Sequence, residues 1–148
     1  MLNGTTFGFV NGIITMLSLI TGMYATRVNR IGIIGAIMAM IVSDPLCDSY
    51  AIYIAQRESN DSDDVKNVAI SSFISQVSLQ AVFLLIIMLI PNLKHAVYTC
   101  YLFGIGGTIS YGVYKNSEVE SIIKNLIGIG ILVSITYFID RLVYKFFK

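Results

Sequence analysis

The sequence predicts an all-α, polytopic membrane protein of five transmembrane helices. Three observations lead there. Only 13% of the 148 residues are charged, where a soluble domain carries roughly 25%. Hydrophobic residues make up 55% of the chain, and mean hydropathy is +0.75. Five apolar stretches follow one another, each of about 20 residues, the length that crosses a bilayer core. So little charge cannot cover a water-facing surface, and lipid is the expected solvent.

The first stretch runs uncharged from about Thr5 to Ala25 and is closed by Arg27 and Arg30. The second, from about Ile31 to Gln56, carries Asp44 and Asp48. The third, from about Asn67 to Ile90, is uncharged and ends at Pro91. The fourth runs from about His95 to Tyr114, and the fifth from about Ser121 to Val143 before a short basic tail. Short linkers make sequential helices antiparallel neighbours. The longest linker, Arg57 to Lys66, holds Glu58, Asp61, Asp63 and Asp64. It reads as a solvated loop that could attract cations, without the alternation of an EF-hand. No second domain, repeat or low-complexity tract interrupts residues 1–148, so a single transmembrane domain is expected. The N-terminus lacks a basic n-region and a small-residue cleavage site, so the first helix is expected to remain as an anchor.

Several function classes drop out. A formal net charge of +1, with no basic run among aromatics, leaves no nucleic-acid footprint. Cys47 and Cys100 both lie in apolar stretches and suggest neither a disulfide framework nor a zinc site. There is no Ser/His/Asp or Cys/His arrangement and no phosphate loop, so neither an enzyme nor a resident cofactor is expected. His95, the one histidine, sits at a helix boundary and has no assigned role.

The chemistry concentrates in MAMIVSDPLCDSYAIYIAQ, residues 38–56. Asp44 and Asp48 are four apart and share a helical face. Met40 lies one turn earlier on that face, and Cys47 lies beside it. A charged Asp at mid-membrane costs about 2.5–3.5 kcal/mol, and like charges one turn apart repel. A proton on one carboxylate or a bound cation would compensate, and a proton-coupled cation carrier needs both. Pro45 donates no backbone hydrogen bond and clashes with the Ile41 carbonyl, so a kink with a free carbonyl is expected there. Carboxylates with softer sulfurs suit a borderline divalent ion such as Fe²⁺ or Mn²⁺. The bland readings stand beside this: Met40 and Cys47 as packing residues, Pro45 as a bend, and the Asp pair as structural hydrogen-bonding groups, for example to Ser or Tyr hydroxyls on neighbouring helices.

Gly4, Gly8 and Gly12 form a small-residue stripe at spacing four. It reads as a close helix-packing face, within the fold or across a dimer. Gly104, Gly107, Gly112, Gly128 and Gly130 suggest close packing of the last two helices. Asn11 and Thr15 are candidates to complete a coordination shell or to hydrogen-bond between helices. Ser71, Ser72, Ser75, Gln76, Ser78 and Gln80 make the third span unusually polar, as in a helix facing a polar path or a packed bundle.

Three blocks resemble the vacuolar iron transporter family: FGFVNGIITMLSLITGMYAT, SDPLCDSYAIYIAQRES and GIGGTISYGVYKNSEVESIIKNLIGIGILVSITYFIDRLV. In the first, Asn11 stands at the family's acidic position, before Gly12-Ile13. In the second, Tyr53 to Ser59 match the exit of the family's second helix. The third resembles the last two helices in spacing and glycines. The resemblance implies a five-helix homodimer with a metal path near its axis, formed by the first two helices. It also implies export of cytosolic Fe²⁺ or Mn²⁺ in exchange for protons, and a cytosolic N-terminus. The charge distribution points the other way. Arg27, Arg30, Lys94, Arg141, Lys145 and Lys148 fall on one side, and Arg57, Lys66, Lys115 and Lys124 on the other, which by the positive-inside rule favours an outside N-terminus. The family's second-helix methionine ligand falls at Asp48, an acid common in the family falls near Met40, and the large acidic extension shrinks to the Arg57–Lys66 linker. Asp44 sits where some members also carry Asp. The departures read either as ligands redistributed, with carboxylates moved onto the second helix, or as a relative that no longer transports iron. The expected metal site is Asp44 and Asp48 with Asn11, Met40 and Cys47, in a transporter whose partners are the bilayer, a second copy, divalent metal ions and protons. The alternative is a structural or interaction protein of the same fold that does not transport.

Overall fold

The computed structural model describes residues 3–57, 62–115 and 119–146. They form α1 (Gly4–Ala25), α2 (Arg30–Arg57), α3 (Ser62–Leu89), α4 (Leu93–Tyr114) and α5 (Val119–Phe146). Four of the five are long and apolar enough to cross a membrane: α1, α2, α3 over Asp64–Leu89, and α5. A chain with four such helices is a multi-pass membrane protein. Gly, Tyr and Thr residues dilute the apolar character of α4 over its 22 residues.

Helix ends follow local chemistry. Asn3 caps α1 by accepting from the Thr6 amide at 3.2 Å, and Asn92 caps α4 through the Lys94 amide at 3.0 Å; both satisfy donors that a helix start leaves unpaired. α3 begins at Ser62 rather than near Asn67, because hydropathy marks only the lipid-crossing part. An acidic residue such as Asp64 is favourable in the first turns, near the positive end of the helix dipole. Of the expected linker acids, Glu58 and Asp61 lie outside the described residues, as does Lys148 of the tail. α2 runs as one helix through Pro45, which is buried. Arg30 donates to the Ile87, Met88 and Pro91 carbonyls, placing a cation on the acceptors that the end of α3 leaves free.

Helix α1 is the centre of the bundle. Its glycine stripe faces α3: a Cβ on Gly4 would meet the Val68 carbonyl, on Gly8 the Ser72 carbonyl, and on Gly12 Gln76 and Leu79. These contacts advance together, so α1 and α3 run parallel. α4 runs antiparallel to α1, with Tyr101 bonded to Thr21 and Tyr111 to Thr6. Gly104 and Gly107 would meet α1 side chains, Gly112 would meet Ile122 of α5, and Gly128 and Gly130 have open space. The expected glycine packing of the last two helices is therefore made only at Gly112; the other two α4 glycines admit α1. The apolar core joins Ile13, Met16, Leu17 and Ile20 of α1 to Ile33 and Ile37, to Leu79, Phe83 and Ile87, and to Ala96, Val97 and Cys100. Phe83 and Phe103 meet edge to face at 5.2 Å.

Candidate functional site

Three helices each bring a pair of polar residues four apart to one place: Asn11 and Thr15 on α1, Asp44 and Asp48 on α2, Gln76 and Gln80 on α3. The spacing puts each pair on one face of its helix. The stripe at Gly8 and Gly12 draws α1 onto α3 tightly enough for Asn11 to reach α2. Asp44 lies near the middle of the 28-residue α2, which places the cluster at mid-bundle, beside the apolar core.

Gln76 joins the two acids. Its Nε2 donates to Asp44 Oδ2 at 2.7 Å and to Asp48 Oδ2 at 2.9 Å. Gln80 Nε2 adds a second donor to Asp44 Oδ2 at 2.9 Å, and Asn11 Nδ2 adds a second to Asp48 Oδ2. Thr15 lies near Asp44. Each carboxylate therefore has one oxygen held by two amide N–H donors, and hydrogen bonds to a charged group are worth roughly 1.5–3 kcal/mol each in soluble proteins. The hydrogen-bond partners of the acids are amides on α1 and α3, the inter-helical hydrogen bonding that the structural alternative also expects. No Lys or Arg is among the groups that bond or act on Asp44, and the bonds to Asp48 come from amides alone.

The amides are not fully used. Gln76 and Gln80 are 0% exposed, and the Oε1 atoms of both have no hydrogen-bond partner, nor does Ser72 Oγ. These three residues recur at spacing four along α3. A buried orphaned acceptor commonly marks a water or an ion. Turning a carboxamide by half a turn about its last bond exchanges N–H₂ for oxygen at the same position, so Gln76 and Gln80 can offer the carboxylates donors or offer a cation acceptors.

The structure brings together Asp44, Asp48 and Asn11 of the expected set. It does not bring Cys47 to them: Cys47 is exposed on the outside of α2, because position 47 is turned about 100° from 48 along a 3.6-residue helix. Met40 packs, partly buried, against the apolar core. The soft-sulfur half of the expected ligand set is therefore not assembled. Among the described residues no group of three or more His, Cys, Asp or Glu could hold a metal ion; what converges is two carboxylates with amide and hydroxyl oxygens. Gln76 and Gln80 were legible as part of a polar third span, but not as partners of the acids. Their shared spacing with Asp44/Asp48 and Asn11/Thr15 was the available signal.

Asn11 also borders open space. A cavity of about 510 Å³ between α1 and the start of α5 is lined by Asn3, Thr6, Asn11 and Asn125 together with Phe7, Val10 and Ile14. It joins the N-terminal end of α1 to the amide that bonds Asp48. Comparison with protein-family models, curated proteins and solved structures finds no match to this chain.

Proposed function

We propose that the chain is a small membrane carrier that exchanges a divalent cation for protons on the Asp44–Asp48 pair, with Fe²⁺ or Mn²⁺ as cargo, as in the vacuolar iron transporters whose blocks it resembles. One observation carries this reading: two carboxylates with no Lys or Arg among their hydrogen-bond partners converge at mid-bundle with two buried amide oxygens that, among the described residues, have no partner. Two like charges a turn apart repel, and a proton or a cation relieves that repulsion, so the pair is suited to hold one or the other. In the cation-free state the Gln76, Gln80 and Asn11 N–H groups hold the carboxylates. In the loaded state the turned carboxamides add Oε1 oxygens to them. An all-oxygen donor set suits harder ions, which favours Mn²⁺ over softer divalent metals. The cavity at Asn11 is the approach from the N-terminal end of α1.

The proposal includes five crossings, since α4 lies antiparallel against α1 from Thr21 to Thr6 and so shares its depth. It also includes a homodimer. The face assigned to the second copy is on α2, the helix that carries the acids, where Met38, Val42, Leu46, Tyr50 and Ile54 are exposed at spacing four.

The test is uptake of Mn²⁺ and Fe²⁺ into proteoliposomes under an imposed pH gradient. The wild type is expected to accumulate metal only with the gradient, and Asp44→Asn/Asp48→Asn to accumulate none. Uptake by the double variant at the wild-type rate would sink the assignment. A second reading, a structural membrane protein, is favoured by the two donors already present on each carboxylate Oδ2. It predicts no uptake by either form, and a loss of stability in the double variant.

A further inference from the structure

A second cavity lies away from the acids, at the end of the bundle where α1 finishes. It has a volume of about 910 Å³ and is formed by the end of α1, the turn into α2, the start of α4 and the last turns of α5. That size falls within the range of small-molecule sites, about 300–1,000 Å³. Its charged lining residues are Arg27, Arg141 and Lys145, with no acidic residue among them. Asp140, next to Arg141, lies against Gly22 of α1 and is not among the lining residues.

Two of the three cations have partners in the structure. Arg27 has φ 59, a left-handed conformation uncommon outside glycine, which reverses the chain between α1 and α2. Its guanidinium lies over the Tyr144 ring at 5.3 Å. Arg141 lies over the Tyr137 ring at 5.9 Å and donates to the Tyr137 hydroxyl at 3.0 Å. A guanidinium over a tyrosine ring retains N–H donors in a fork that fits phosphate oxygens. Tyrosines and basic residues are also what the headgroup level of a membrane collects. The remaining walls, including Leu93, Phe138 and Leu142, are apolar, and bare phosphate has nothing to place against them.

We propose that this cavity binds the phosphate headgroup of an anionic phospholipid, with Arg27, Arg141 and Lys145 on the phosphate and the apolar walls against its glycerol and upper acyl chains. The site is independent of the cation reading of the Asp pair. Charge complementarity and the mixed lining select a lipid over free phosphate, and an anionic lipid over a zwitterionic one.

Native mass spectrometry of the full chain in detergent tests it. The probes are phosphatidylglycerol and phosphatidylcholine with identical acyl chains, with inorganic phosphate as competitor. Both lipids carry the phosphate, but the trimethylammonium of phosphatidylcholine is repelled by the three cations, so phosphatidylglycerol is expected to be retained about tenfold more. Arg27→Gln/Arg141→Gln is expected to abolish that preference, and Lys145→Gln, on an exposed side chain, to reduce it. Lys124→Gln removes a charge near the start of α5, away from the cavity, and is expected to leave the preference intact. Equal retention of the two lipids, an unchanged preference in both basic-site variants, or full displacement by equimolar inorganic phosphate would each overturn the assignment.

Discussion

Replacing Gly8 by alanine tests the packing on which the polar cluster depends. A Cβ at Gly8 would lie 2.3 Å from the Ser72 carbonyl oxygen, 3.0 Å from its carbon and 3.1 Å from its Cα, all backbone atoms of α3. Real Cβ atoms essentially never come within 3.0 Å of such a neighbour, so the two backbones must part by about 0.7 Å at this point. No side chain can swing aside to absorb the change. Overpacking of this kind costs about 1–3 kcal/mol. Asn11 is three residues along α1 and Gln76 one turn along α3, so the same shift loosens the bonds from Asn11 to Asp48 and from Gln76 to both acids. Reversible unfolding in mixed micelles, followed by circular dichroism, is expected to show the variant less stable by about 1–3 kcal/mol. Gly35→Ala is the control, since a Cβ there has nothing within 4 Å, and no loss is expected. Because the stripe is consumed inside one chain, Gly8→Ala should weaken the fold before it affects any oligomer. Equal stability of Gly8→Ala and wild type would refute the close α1–α3 contact and the placement of Asn11 that follows from it.

Gln76→Leu removes a donor shared by both acids and is expected to destabilise the chain by about 1–3 kcal/mol, measured in the same unfolding assay. In an Asp44→Asn/Asp48→Asn background the loss should shrink, and additive effects would mean that the three residues are not coupled. Arg30→Met should lower stability by about 1–2 kcal/mol by uncovering the α3 C-terminal carbonyls, and amide hydrogen exchange should rise over residues 86–89 rather than along the whole helix. Oxidative cross-linking of the native cysteines in membranes should yield a dimer that Cys47→Ser abolishes and Cys100→Ser leaves intact, because Cys47 is exposed and Cys100 buried; a dimer that persists in Cys47→Ser would move the interface off the outer face of α2.

Composition and the run of apolar segments determined that this is an all-helical chain built for lipid, because a bilayer demands about 20 apolar residues per crossing and satisfies no backbone group left unpaired. The same reading found Asp44 and Asp48, since a carboxylate in the middle of an apolar run stands out by its desolvation cost alone. Helical spacing put them on one face, but it could not say what faced them. Two signals were local in the sequence and ambiguous there. The stripe at Gly4, Gly8 and Gly12 announced a close approach without a partner, and the structure spends it on α3. The sulfurs of Met40 and Cys47 lay near the acids along the chain, yet the rotation of α2 turns Cys47 outward and the apolar core takes Met40. Gln76 and Gln80 became partners of the acids only when α3 was laid antiparallel to α2 at a particular height. That height is set by Arg30 on the end of α3 and by the glycines of α1, contacts between residues tens of positions apart. Periodicity along a chain reports which face of a helix is polar; which polar faces meet is decided by how closely backbones can approach.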